Sequence, residues 1–119
     1  MDDIISRSID EAAASFKRGT TEMLLLAMLT EQEWYVYELD KRLKEITNGT
    51  FDTKTPHIYT ILYRMEKKEF VTTRVELVKR RSRVFYQITP LGKEYLKELL
   101  GLYNNISTSI QNALSLIQR

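Results

Sequence analysis

The sequence predicts a mainly α-helical chain with one small β-hairpin. Apolar residues recur at helical spacing in four stretches. Two Thr-Pro pairs mark helix starts, and two neighbouring runs between residues 70 and 89 are rich in β-branched and aromatic residues. The length of 119 residues suffices for one domain, or for one domain with an added interaction helix.

Helices are expected first over residues 2–16 and then over about residues 20–30. Lys17, Arg18 and Gly19 suit the end of the first helix, and Thr20 or Thr21 is the expected cap of the second. Because residues 23–29 are apolar nearly all round, the second helix is expected to be the most buried element.

The third and fourth helices have an apolar face each. The third, residues 36–47, carries Leu39, Leu43 and Ile46 on one face, and Asn48-Gly49 is the expected stop. The fourth begins at Thr55-Pro56, with Thr55 as cap and the proline at the first helical position. Its predicted buried stripe consists of Ile58, Ile61, Leu62 and Met65.

A hairpin and a long helix complete the chain. Residues 70–77 and 83–89 are the predicted strands, joined by a turn that includes Lys79, Arg80, Arg81 and Ser82. The last helix starts at Thr89-Pro90 and covers about 29 residues, or about 43 Å. A domain this small cannot cover such a length, so the far end needs another surface, most simply the same helix of a second copy.

Composition excludes several classes of site. Apolar residues make up 43% and charged residues 29%, as in soluble globular proteins. The absence of cysteine excludes disulfides, thiolate zinc sites and a cysteine nucleophile, and a single histidine, His57, excludes two-histidine metal motifs. No metal or cofactor is therefore expected. No apolar run spans a membrane, and the acidic start MDDII lacks the basic region of a secretory signal. The expected location is the cytoplasm, with no membrane partner.

Positive charge is concentrated in the middle of the chain. The net charge is only +2, but residues 54–83 hold nine Lys or Arg against three Asp or Glu, a balance of +6 against −4 for the rest. A basic segment in a near-neutral chain indicates contact with a polyanion. A solvated charged face explains the same pattern, so charge alone leaves both readings open.

The element order adds a more specific indication. Helices two to four followed by a two-stranded wing describe a winged helix-turn-helix, whose fourth helix here would enter the DNA major groove. The basic hairpin would reach phosphates, although charged turns also keep edge strands from pairing. The predicted organisation is a winged helix-turn-helix domain with an N-terminal helix, residues 1–89, followed by a C-terminal dimerisation helix, residues 90–119.

Four segments in register resemble the PadR family of transcriptional regulators, over about residues 17–100. They are Arg18-Gly19-Thr20 with the apolar helix ending at Leu29, the run YVYEL at 35–39, the run IYTILYRME at 58–66 and the run FYQITPLG at 85–92. The short C-terminal part is similar to the small subfamily with one dimerising helix. Three positions depart from the family pattern: Val36 and Glu69 replace common glycines, and Thr60 replaces a frequent proline.

The resemblance implies a homodimeric repressor that binds a near-palindromic operator on double-stranded DNA. Many members release DNA when a small aromatic or drug-like ligand binds. A winged helix that has lost DNA binding and acts as a protein-interaction module is the alternative. An enzyme is not expected, because the sequence has no Gly-rich phosphate loop and no nucleophile–base pair.

Candidate DNA contacts follow by analogy. His57, Thr60, Tyr63 and Arg64 are the candidates for reading bases, with arginine best suited to guanine. Arg64 could instead pair with a carboxylate, Tyr59 could pack between helix and wing, and His57 could simply be exposed. The full predicted set is Tyr37, Lys54, Thr55, His57, Tyr59, Thr60, Tyr63, Arg64, Lys67, Lys79, Arg80, Arg81 and Arg83.

Candidate dimer and ligand contacts are apolar and aromatic. The predicted dimer interface comprises Ile5, Ile9, Phe16, Leu99, Leu102, Tyr103, Ile106, Ile110, Leu114 and Ile117. Trp34, Tyr35 and Tyr103 are candidates for a ligand-facing surface. Aromatic residues at helical spacing are more often interface core than a binding pocket, so both interpretations stay open.

Overall fold

The computed structural model describes residues 3–118 and contains within them five helices and one two-stranded antiparallel sheet. The order is α1 (Asp3–Lys17), α2 (Thr20–Glu31), α3 (Val36–Ile46), α4 (Thr55–Lys67), β1 (Val71–Val78), β2 (Arg81–Ile88) and α5 (Pro90–Ile117). This confirms the predicted fold class and the order of the elements. Asp2, expected in the first helix, lies outside the described residues.

The core is formed where α2, α3, α4 and β1 meet. Leu25 and Leu26 of α2 are fully buried, as are Leu39 and Leu43 of α3. The predicted stripe of α4 is buried in full, with Ile58, Ile61, Leu62 and Met65 all below 4% exposure. The prediction for Ile46 is wrong: it is 47% exposed, because α3 ends there and the chain turns away through Asn48 and Gly49 at positive φ.

The predicted cap of α2 is also wrong. Gly19 occupies the cap position, and no side chain accepts a bond from the first turn. The hydroxyls of Thr20 and Thr21 donate instead to the Lys17 carbonyl at 3.0 and 2.9 Å. Since only two residues separate α1 from α2, the free carbonyls at the end of α1 lie within reach of these hydroxyls.

The start of α4 differs in the same way. Lys54 precedes the helix as its cap residue without a side-chain bond, and Thr55 is the first helical residue. Its hydroxyl donates to Asp40 Oδ2 at 3.1 Å. The predicted Thr cap is confirmed only at α5, where Thr89 Oγ1 accepts from the Gly92 amide at 3.0 Å.

The hairpin has a tighter turn than predicted. The strands pair from Val71 with Ile88 to Val78 with Arg81, so Lys79 and Arg80 alone form the turn, and Arg81 and Ser82 belong to β2. Lys79 and Arg80 have φ of 51° and 66°, as a two-residue type I′ turn requires. Trp34 adds an isolated antiparallel bridge to Tyr86, which the sequence did not predict.

Helix α5 leaves the core after its first three turns. Leu96 is buried, and Tyr95 and Leu99 pack partly against the core. From Gly101 to Gln118 no residue is buried. The chain is therefore elongated, with principal extents of 59 × 35 × 23 Å.

Candidate nucleic-acid interface

The face of α4 opposite its buried stripe is solvent-exposed and polar. Six predicted contact residues share it and are all exposed: His57, Tyr59, Thr60, Tyr63, Arg64 and Lys67. The stripe of Ile58, Ile61, Leu62 and Met65 fixes this orientation, because burying those four side chains turns the remaining positions outward.

A buried polar cluster holds the start of α4 against α3. Asp40 is only 8% exposed, and its Oδ2 accepts from the Thr55 hydroxyl and from Lys44 Nζ at 3.3 Å. Lys44 also pairs with Asp52 Oδ1 at 3.3 Å. The hydrogen bonds that Lys44 donates to both carboxylates raise its pKa, so the lysine stays charged and the loop before α4 is tied to α3.

Side chains on the α4 face differ in whether they already have a partner within the chain. Within residues 3–118 no ion pair involves Arg64 or His57, so a carboxylate partner for Arg64 is not observed. The Lys67 ammonium lies 4.7 Å from the centre of the Tyr63 ring. The Thr60 hydroxyl donates to the Pro56 carbonyl at 3.1 Å, which leaves its oxygen free to accept.

The hairpin tip presents three exposed cations, Lys79, Arg80 and Arg81. Arg83 is placed differently. Its guanidinium lies 5.2 Å from the centre of the Tyr35 ring, and its Nε is buried without a hydrogen-bond partner in the described part of the chain. The three tip cations take part in none of the ion pairs found within residues 3–118, whereas Arg83 is held against Tyr35.

One cation of the wing is neutralised. Arg74 is ion-paired with Glu33 and with Glu76, the latter at 3.0 Å, and Gln87 also donates to Glu33. The Arg74 guanidinium stacks 4.7 Å from the Phe85 ring. Arg74 and Glu33 are 41 positions apart in the sequence, so no local sequence signal predicts this cluster.

Three further predicted DNA-contact residues lie at the starts of α3 and α4. Tyr37, near the start of α3, is 67% exposed. Lys54, which precedes α4, and Thr55, its first residue, are also exposed. Tyr59 is 49% exposed. Burial, followed by the nearby Glu66 and Tyr59, raises the pKa of Tyr86 in β2.

The three aromatic ligand candidates do not share one surface. Trp34 Nε1 donates to the Met28 carbonyl at 3.0 Å, and the Tyr35 ring meets Phe85 edge-on at 5.3 Å. Tyr103 instead lines an open apolar groove of about 480 Å³ between α5 and the α1–α2 junction, which neither Trp34 nor Tyr35 lines.

Long apolar rows on α1 and α5 face outward. Nine of the predicted interface residues are between 46% and 81% exposed: Ile5, Ile9, Phe16, Leu102, Tyr103, Ile106, Ile110, Leu114 and Ile117. Leu99, the tenth, packs partly against the core. The groove that Phe16 and Tyr103 line joins these two rows.

Two kinds of feature are absent from residues 3–118. No group of three or more His, Cys, Asp or Glu side chains is arranged to hold a metal ion. None of the helices in this part of the chain combines the length and apolar character needed to cross a membrane.

Comparisons with known proteins agree with this geometry. The sequence profile of the transcriptional regulator PadR-like family matches residues 25–98. An uncharacterized protein of Lysinibacillus sphaericus is 33% identical over 84 residues, 70% of this chain and 77% of that protein.

Solved structures share the fold. A PadR-like transcriptional regulator from Bacillus cereus is 28% identical with a TM-score of 0.73, covering 84% of this chain and 96% of that one. A PadR family transcriptional regulator from Eggerthella lenta superposes with a TM-score of 0.78 at 24% identity, over 95% of this chain and 94% of that one.

Proposed function

The chain belongs to the PadR-like family of transcriptional regulators, and we propose that it acts as a homodimeric repressor that binds a near-palindromic operator. Proteins of this family are DNA-binding regulators, not enzymes. The observation that carries the proposal is the exposed face of α4, which is held in place from α3 and is followed in the chain by a hairpin with a cationic tip. Its place of action is then the cytoplasm.

In this proposal α4 reads base edges and the wing contacts phosphate. Arg64, without an ion-pair partner among residues 3–118, has the donors for a bidentate contact with guanine. Lys79, Arg80 and Arg81 supply phosphate contacts, which fix the register of the helix in the groove. Arg83 takes the separate role of bracing the wing against Tyr35.

The dimer follows from the outward-facing apolar rows. Ile106, Ile110 and Leu114 of α5 are each about half exposed and lie four residues apart. A row of this kind is buried by the same row of a second copy. Two-fold symmetry in the protein then requires two half-sites in the operator.

An effector site is proposed at the groove between α5 and the α1–α2 junction. Its lining is mostly apolar and includes Phe16, Met23, Leu99 and Tyr103. Its size of about 480 Å³ suits a small aromatic molecule. Occupation there would change the position of α1 relative to α5 and thereby release DNA.

Selection from a random duplex library tests the proposal without knowledge of the operator. The expected product is a two-fold-symmetric consensus whose half-sites are separated by about one helical turn or a multiple of it. A reporter gene placed behind that consensus should fall in expression when the chain is present. Enrichment of a single asymmetric site would contradict the two-fold mode of binding, and no enrichment would support the protein-interaction alternative instead.

A further inference from the structure

A second cationic surface lies beside α4, where α1, α2 and the loop before α4 meet. A cleft of about 650 Å³ is lined there by Lys17, Arg18, Lys54, His57 and Arg64. A smaller adjoining cavity of about 150 Å³ again contains Arg18, His57 and Arg64. We name this surface the junction cleft; no hairpin residue lines either cavity.

The cations of the junction cleft are available to an anion. None of the ion pairs found within residues 3–118 uses Lys17, Arg18 or Lys54, and Arg64 is equally unpaired. The cleft also contains Asp10 and Asp52, but the Asp52 carboxylate is engaged by Lys44. The smaller cavity adds a third carboxylate, Glu22. Four cations against three carboxylates leave the cleft net positive, and a concave positive surface concentrates the potential that attracts anions.

The cleft is continuous with the face of α4 that is proposed to read bases. His57 and Arg64 belong to both surfaces. They are separated by seven positions, which is about two helical turns and about 10 Å along the axis. The major groove is about 12 Å wide, so a duplex that received this face would bring one of its backbones to the cleft.

We propose that the junction cleft is a DNA phosphate-contact surface, in which Lys17 and Arg18 at the end of α1 hold the backbone that flanks α4. This inference rests on the proposed DNA-binding function and extends the contact surface to the N-terminal helix. The wing and the cleft then hold separate backbone segments, which fixes the angle of α4 in the groove. The cations come from the end of α1, the loop before α4 and α4 itself, and are therefore spread along the cleft. This spread fits a backbone segment, whose phosphates follow one another along the strand.

Paired charge removals test the cleft. The double variant Lys17→Ala with Arg18→Ala removes two cations from the cleft, and Lys93→Ala with Lys97→Ala removes two exposed cations from α5 as the matched control. Binding of each full chain to a selected duplex is measured by fluorescence anisotropy across salt concentrations. The cleft variant should lower the slope of log affinity against log salt by about 1.8, and the affinity by at least about tenfold at 0.1 M salt. The control should retain the slope of the unaltered chain.

The outcomes separate this inference from the proposed function. If the affinity of the unaltered chain falls steeply with salt but the cleft variant has the same slope as the α5 control, the cleft assignment is overturned and the proposed DNA-binding function is retained. If the unaltered chain binds no duplex, both are overturned. Inorganic phosphate, exchanged for chloride at constant ionic strength, should not displace the duplex more than chloride does. If phosphate displaced the duplex from the unaltered chain but not from the cleft variant, the cleft would be a site for a free anion instead.

Tethered cleavage locates the backbone directly. The chain contains no cysteine, so Ala14→Cys places a single thiol at an exposed position that lines the cleft. An iron chelate attached there should cut the duplex backbone at positions flanking each half-site. The same chelate on Lys93→Cys should leave the duplex uncut. Absence of cleavage from position 14 in a complex that still forms would overturn the assignment.

Discussion

The Thr55 hydroxyl donates to the Asp40 carboxylate at 3.1 Å and so joins the first residue of α4 to the middle of α3. Asp40 is nearly buried, and its second oxygen, Oδ1, has no partner among the described residues. The carboxylate thus depends on Thr55 and Lys44 to offset its desolvation. The orientation of the DNA-facing helix is coupled to the core through this contact.

A double-mutant cycle measures that contact. Thr55→Ala and Asp40→Ala should each lower the free energy of unfolding, and their coupling should be about 1–2 kcal/mol, because the acceptor is charged. Urea denaturation of the four chains supplies the values. Additive effects would mean that the hydrogen bond contributes nothing to the placement of α4.

Glu69→Gly should stabilise the chain by about 1 kcal/mol. Glu69 follows α4 with φ of 66°, a conformation that costs other residues energy and glycine almost none. The neighbouring Lys68 has φ of −88°, so Lys68→Gly is the matched control and should destabilise. Thermal denaturation compares them, and a loss of stability in Glu69→Gly would show that the Glu69 side chain has a stabilising role.

Gly92→Ala should destabilise the join between the hairpin and α5 by about 3 kcal/mol or more. An added Cβ would lie 2.1 Å from the Phe70 carbonyl oxygen and 2.8 Å from Ile88 Cγ1. Gly101→Ala, in the same helix with open space around it, should instead stabilise by about 0.5–1 kcal/mol. Equal stability of the two variants in urea would contradict the close packing at Gly92.

Lys79→Asn with Arg80→Gly should move stability and DNA binding in opposite directions. Both residues have positive φ, so Asn-Gly should stabilise the turn by about 1 kcal/mol. Loss of two tip cations should lower the salt slope of DNA binding by about 1.8. Arg80→Ala with Arg81→Ala is the control for charge and should lower the slope without the gain in stability. An unchanged slope in both would show that the tip does not contact phosphate.

Ile110→Glu should break the dimer. A carboxylate buried in an apolar interface costs about 3 kcal/mol or more, which weakens association at least about a hundredfold. Thr108→Glu lies about 160° around the same helix and should leave the dimer intact. Light scattering gives the mass of each variant. If the Ile110→Glu variant remained a dimer, the interface would have to lie elsewhere than on α5.

Periodicity identified the helices and the core, since burial of one face is a local property of the sequence. Ile58, Leu62 and Met65 are buried as their spacing predicts, and Thr89 caps α5 as its Thr-Pro pair indicates. Thr55 carries the same local signal as Thr89, yet its hydroxyl bonds to Asp40, fifteen residues away. Local capping preference cannot predict which nearby acceptor the fold supplies.

Details of the candidate site depend on contacts between distant residues. A two-residue turn was not expected at Lys79 and Arg80, because neither residue favours positive φ. The charge balance of residues 54–83 includes Arg74 and Arg83. In the fold, Glu33 neutralises Arg74, and the guanidinium of Arg83 lies over the Tyr35 ring. Burial and pairing across the chain therefore decide which charges of the basic segment remain free.

Anisotropy titration of the full chain against the selected duplex and a scrambled duplex, across salt concentrations, tests DNA recognition by the homodimer most directly. We expect tight binding to the selected duplex, two protomers per site and a steep loss of affinity with salt. We also expect Arg64→Ala to reduce the preference for the selected sequence more than it reduces binding to scrambled DNA. Absence of binding to either duplex at low salt, from a folded dimer, would overturn the DNA-binding function and favour a protein-interaction module.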